Sequence, residues 1–178
     1  SRPRKVVIEG FENRSKYQDF YLSPDQSVII LAIEMDDSYG DQDLYLSRRT
    51  GPNHYSKPKN LGISINTGHA EFSPFLAMDN KTLYFASDGH GGYGQSDIFK
   101  TTRLDDSWLR WSAPVNMGPA VNTSSWDAYF SVTSAGDYAY FVSAEGSRDG
   151  KENIFRIPLG KDVVNEHTVA EDLITVTG

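Results

Sequence analysis

Three short segments recur along this chain at nearly constant spacing. DLYLS (43–47), DIFKT (97–101) and NIFRI (153–157) stand 54 and 56 residues apart. The same offsets superpose SVIILA (27–32), KTLYFA (81–86) and DYAYFV (137–142), and they superpose Gly40, Gly94 and Gly150. YSKPKNLGISINT (55–67) also matches WSAPVNMGPAVNT (111–123), 56 residues on. One short motif recurs by chance, but several motifs holding one offset do not. The chain is three copies of a unit of about 55 residues, and a repeat of this length means stacked supersecondary units.

Each unit divides alike. An inner strand, A, comes first: DFYLS, PFLAM or AYFSV. A polar turn leads to strand B, an aromatic and β-branched run of the kind that suits a half-buried strand. A glycine-rich loop leads to strand C. A Pro-containing segment ending in NLG or NMG forms strand D, at an edge where proline is tolerated. Four short strands per repeat is the signature of a propeller blade. No segment sustains an apolar 3.6-residue period, so the fold is all-β. The expected architecture is a partial β-propeller of about three four-stranded antiparallel blades, completed by another chain, a second copy or missing blades. The boundaries are 1–14 for the last strand of a preceding blade, 15–67 for blade 1, 68–123 for blade 2 and 124–160 for blade 3, whose outer strand is atypical. Residues 161–178 are a tail or the start of a following β-sandwich. Because an exposed blade face would be a large apolar patch, at least one open side, near Val6–Ile8 or Phe155–Leu159, is expected to be covered by a second copy, a separate chain or the tail.

The loop SDGHGGYGQ invites a phosphate-binding reading, but a phosphate loop is followed by a helix and here a strand follows. It is expected to turn the chain, with Gly91, Gly92 and Gly94 supplying positive φ. Asp43, Asp97 and Asn153, at the start of strand C, are expected to be architectural, bonding neighbouring loop backbone.

MDNKTLYFASDGHGGYGQSDIFKT followed by WSAPVNMGPAVNT resembles the TolB-type, WD-repeat-like β-propeller repeat. The pairing of GGYGQSDIF with PVNMGPAVNT is most similar to repeats in OmpA-family envelope proteins of Gram-negative bacteria. The third unit departs from the pattern, with SAGD in its turn and Asn153 in place of Asp. The resemblance covers about residues 15–158. It implies a periplasmic, outer-membrane-associated protein, in some cases tied to a secretion apparatus, whose partners are other envelope proteins.

Composition excludes several classes. With 17 Lys and Arg against 24 Asp and Glu, the net charge is −7, which disfavours nucleic-acid binding. There is no cysteine, hence no disulfide or thiolate metal site. No apolar run is long enough to span a membrane as a helix.

The B–C and D–A loops of a propeller share one face. That face gathers Asp36, Asp37, His69, Glu71, Asp88, His90, Tyr93, Trp126 and Asp127 as a candidate binding surface for a partner or a sugar, though each also suits an ordinary turn. No residue is assigned a catalytic role, and no metal or cofactor is implied: EMDDSYGDQD lacks the spacing of a calcium loop, His54 and His69 share no ligand spacing, and there is no nucleophile elbow. The A strands offer mainly Phe, Tyr, Leu and Ser toward the axis. The expectation is therefore a non-enzymatic scaffold that binds other proteins. The alternatives are a carbohydrate-active propeller, a glycoside hydrolase or lyase, and a propeller gating a peptidase.

Overall fold

The computed structural model describes residues 2–147, 151–159 and 174–175, and among them there is no helix. Fourteen strands follow in chain order: β1 (Val7–Ile8), β2 (Asp19–Leu22), β3 (Val28–Ile33), β4 (Asp43–Gly51), β5 (His54–Tyr55), β6 (Lys59–Asn60), β7 (Glu71–Leu76), β8 (Thr82–Ser87), β9 (Asp97–Thr102), β10 (Val115–Asn116), β11 (Asp127–Val132), β12 (Tyr138–Ser143), β13 (Asn153–Pro158) and β14 (Ile174–Thr175). They form three antiparallel blades, β2-β3-β4-β6, β7-β8-β9-β10 and β11-β12-β13-β14. The protein is a partial β-propeller with β2, β7 and β11 innermost.

The blades stack because their middle strands are apolar on both faces. In VIILAI of β3 the period of two is plain. Val28, Ile30 and Ala32 join Leu44 and Leu46 against Leu76, Leu83, Phe85 and Phe99 of blade 2. Ile29, Leu31 and Ile33 point the other way, with Met35, Tyr45 and Tyr55. In β8, Leu83 and Phe85 are fully buried toward blade 1, while half-buried Tyr84 faces blade 3 and meets Phe130 at 4.7 Å between ring centres. Burial of that phenol pushes its pKa up to about 12.

Both ends of the chain pair with the blade beside them. In residues 2–14, expected in the last strand of a preceding blade, the described strand joins the sheet of blade 1. There β1 pairs in parallel with β5, and Ile8 packs onto the outer apolar face of blade 1. Thus the chain's own N-terminal segment covers part of that face. At the other end β14 pairs with β13, Ile174 opposite Arg156 and Thr175 opposite Phe155, as the fourth strand of blade 3.

The repeated glycines differ from expectation. Gly91 and Gly92 have φ of 71° and 154°, but Gly40 and Gly94 are not in the left-handed region. They are small because the next blade leaves no room. A Cβ at Gly40 would overlap the backbone of Gly68 and His69, and one at Gly94 would overlap the Thr123 and Ser125 carbonyl oxygens. The two contacts are equivalent, so each glycine lets one blade's B–C loop touch the following blade's D–A loop. Gly150 lies outside the described residues.

Candidate functional site

A polar spine holds the loops of blades 1 and 2. The Asp97 carboxylate accepts the N–H groups of Tyr93 and Gly94 at 2.7 and 3.0 Å and the Asn116 amide at 2.7 Å. Asn116 in turn accepts from Gly118 N–H and from Asn122. Asn122 pairs through its side chain with both backbone groups of Ile98. Asp43, Asn60 and Asn66 repeat the chain around Leu44. Burial, partly offset by these donors, raises the pKa of Asp43.

A second repeated device closes the D–A loops. Glu71 accepts Thr67 N–H and hydroxyl at 2.8 and 2.7 Å, and the Ser87 hydroxyl at 2.7 Å. Asp127 accepts Thr123 N–H and hydroxyl in the same way. Both acids are buried. Burial outweighs the three donors to Glu71 and lifts its pKa to about 7.

The nine loop-face candidates take different local roles. Asp36 is exposed and paired with Arg14. Asp37 accepts the Tyr45 hydroxyl. His69 is exposed. Asp88 caps Ala70 N–H at 2.8 Å. The His90 ring nitrogen Nε2 meets the Ile65 carbonyl at 2.7 Å, so it carries the proton there, and the ring packs on Phe85 and Phe99. Tyr93 is exposed, with its N–H bound to Asp97. Glu71 and Asp127 are enclosed in their latches. Trp126 alone of the nine lines an axial opening between the blades.

That opening is a cleft of about 780 Å³ where the three blades converge, lined by Ser15, Lys16, Tyr17, Gln18, Asp19, Asp41, Gln42, Ala70, Phe72, Trp126, Tyr129 and Glu152. Its aromatic wall is built from two blades. Phe72 and Trp126 stack with centres 5.7 Å apart and planes within 13°, and Tyr129 meets Trp126 edge-on at 5.9 Å. Carboxylates come from blade 1 (Asp19, Asp41) and from the loop before β13 (Glu152). A second axial cavity of about 320 Å³ shares Gln18, Asp19 and Tyr129 with the cleft.

Backbone irregularity marks the junction of the two. Ser73 and Tyr129 occupy equivalent positions in β7 and β11, and both are left-handed, at φ 51° and 55°. Each lies at a register slip in the pairing with the next strand. Bulges with unfavourable φ are retained where they re-aim a side chain. Blade 1 has no slip in β2, and its equivalent residue is Asp19. The Asp19 carboxylate accepts Ser73 N–H at 3.1 Å and its hydroxyl at 3.4 Å. Burial, with the Asp19 charge nearby, raises the pKa of the Tyr129 phenol. Among the described residues no three His, Asp or Glu converge to hold a metal.

No protein-family model and no curated protein matches the chain. Among solved structures it is similar to the α-L-arabinanase of Penicillium chrysogenum complexed with arabinobiose, at 10% identity and a TM-score of 0.50. The likeness covers 79% of this chain and 45% of the arabinanase. It is a likeness of fold, and the neighbour's fold is a five-bladed β-propeller. It also corrects the expectation of a protein that is not an enzyme, because the structure sharing these blades is a glycosidase. That expectation rested on A strands without carboxylates toward the axis, and Asp19 is such a carboxylate, at the first position of β2. The repeat held a signal for it: where blades 2 and 3 carry Ser73 and Tyr129, blade 1 carries an acid.

Proposed function

We propose that this chain belongs to a carbohydrate-active β-propeller that binds a saccharide in the axial cleft and acts on its glycosidic bonds. The observation that carries this reading is the meeting of an aromatic wall, Phe72, Trp126 and Tyr129, with three carboxylates in one cleft. Sugars present apolar C–H faces that pack on aromatic rings, and a ring of hydroxyls that needs placed acceptors and donors. Glycoside hydrolysis uses two carboxylates flanking the bond, one as acid and one as base or nucleophile. Asp19, oriented by Ser73, and Glu152 reach the cleft from different blades and are the first pair to test, with Asp41 as the third acid. The chain spans less than half of the arabinanase, and the class of sugar is part of the proposal: arabinobiose and other short pentose oligosaccharides are the first ligands. The TolB-type and OmpA-family resemblance supports an envelope setting, periplasmic and outer-membrane-associated, with other envelope proteins or a second chain as partners.

The test is calorimetric titration with short oligosaccharides, together with chromatography of the products. Trp126→Ala is expected to weaken binding at least about tenfold by removing the stacking surface. Asp19→Asn is expected to retain binding and abolish bond cleavage. Failure of the wild-type protein to bind any saccharide, or binding indifferent to Trp126→Ala, overturns the reading.

A further inference from the structure

Two segments at the outer edge of blade 1 carry a charge opposite to that of the whole protein. Residues 2–14 and 47–60 hold eight Lys and Arg (Arg2, Arg4, Lys5, Arg14, Arg48, Arg49, Lys57, Lys59) against two acids, Glu9 and Glu12, in a chain of net charge −7. The fold brings these two segments together: β1 pairs with β5, β5 pairs with the end of β4, and Gly10 lies over the Lys57 side chain. Arg14 is paired with Asp36, and Arg48 donates to the Asp106 and Ser107 carbonyls. The other six cations are exposed, and among the described residues none of them is in an ion pair.

Beside this rim lies an apolar groove of about 250 Å³. Its floor is Ile29, Leu31 and Ile33. One wall is Val6 and Phe11 of the N-terminal segment, and the other is Phe20 and Leu22 of β2. The wall side chains stand open, Phe20 at 70% exposure. Arg4 and Lys5 directly precede Val6, and Arg49 is in register with Tyr55, which also lines the groove.

We propose that this groove docks an extended acidic peptide segment of a partner protein, which seats one or two large apolar side chains between Phe11 and Phe20 and sets its carboxylates against Arg4, Lys5, Arg49 and Lys57. Charge complementarity selects the sign of the partner. The concavity of the site selects a peptide over a flat lipid surface, because a groove walled on both sides takes single side chains. Patches of one charge in a protein of the other sign steer encounter and set specificity. The groove borders the axial cleft, sharing Gln18 and Asp19 with it, but Phe11, Phe20 and the four cations do not line the cleft, so the inference does not rest on the proposed saccharide site.

The experiment is fluorescence anisotropy of the full chain with a labelled peptide of alternating Glu and Phe. Control peptides carry Lys for Glu or Ala for Phe. The acidic aromatic peptide is expected to bind at least about tenfold more tightly than either control, and to weaken as salt is raised. The variants Phe20→Ser and Arg4→Glu/Lys5→Glu, both at exposed positions, are expected each to lose at least about tenfold in affinity while saccharide binding is retained. Equal affinity for the basic peptide overturns the proposal. So does flotation with vesicles of anionic phospholipid in the absence of peptide binding, which would make the rim a membrane contact. Self-association that is abolished by Phe20→Ser, with no peptide bound, would assign the groove to a second copy instead and also overturns it.

Discussion

Replacing Gly94 by valine is expected to destabilise the protein by about 3 kcal/mol or more, read as a lowered denaturant midpoint. The cause is overlap between blades. The new side chain would be driven into the Thr123 and Ser125 carbonyl oxygens, which are backbone atoms of the loop that follows blade 2. That loop cannot retreat cheaply. Ser125 accepts Gln95 N–H at 2.8 Å, and Thr123 is clasped by Asp127. Gly40→Val is expected to behave the same way at the junction of blades 1 and 2. Gly91→Ala is the informative contrast. Gly91 has φ of 71° and open space where a Cβ would go, so only the left-handed backbone opposes the change, at about 1 kcal/mol. If Gly94→Val and Gly91→Ala cost the same, the repeated glycine answers to backbone conformation and not to the neighbouring blade.

That contrast shows where reading the sequence succeeds and where it stops. The repeat offsets locate every blade because a blade is a local object: strand order, turn and strand period are all written within about 55 residues. The near-continuous apolar runs VIILAI and TLYFAS likewise predict strands buried on both faces. The reason for Gly94 is not local. It lies in a loop some 30 residues further on, and a motif pattern cannot separate a glycine needed for its φ from one needed for its size. The loop-face candidates meet a related limit. Placing Asp36, His69 and Asp88 on one face follows from propeller topology, but topology does not say which carboxylates are spent on capping backbone N–H groups. Asp88 and Asp127 are spent so. Asp19 is hard to read from sequence because it sits in DFYLS among residues that read as core, and only its comparison with Ser73 and Tyr129 marks it as a departure. The N-terminal strand was legible as a strand but not as a parallel partner of β5, since two residues of β1 carry too little pattern to specify register.

Glu71 makes stability depend on pH in the direction opposite to ordinary acid denaturation. Its pKa rises from 4.5 to about 7 on folding, because burial penalises the carboxylate more than Thr67 and Ser87 reward it. A group whose pKa is raised by folding contributes stability that is complete below its unfolded value and is lost as pH climbs through its folded value. The loss therefore falls between pH 4.5 and about 7, and a rise of that size is worth on the order of 3 kcal/mol. Asp43, raised by its own burial, acts with the same sign. Asp25, held low by the Ser23 and Ser27 hydroxyls and the Ser27 N–H, acts with the opposite sign, and its contribution is lost only as pH falls below the ordinary carboxylate range. The variant Glu71→Gln isolates the group. Its amide oxygen takes the Thr67 N–H, while the Thr67 and Ser87 hydroxyls turn to accept from the amide nitrogen, so it stands in for the protonated acid. The stability of wild type relative to Glu71→Gln is expected to decline by about 3 kcal/mol from pH 4.5 to pH 8, measured by urea unfolding at each pH. A difference that stays constant across that range would mean that Glu71 remains ionised in the folded protein, with its three donors outweighing burial.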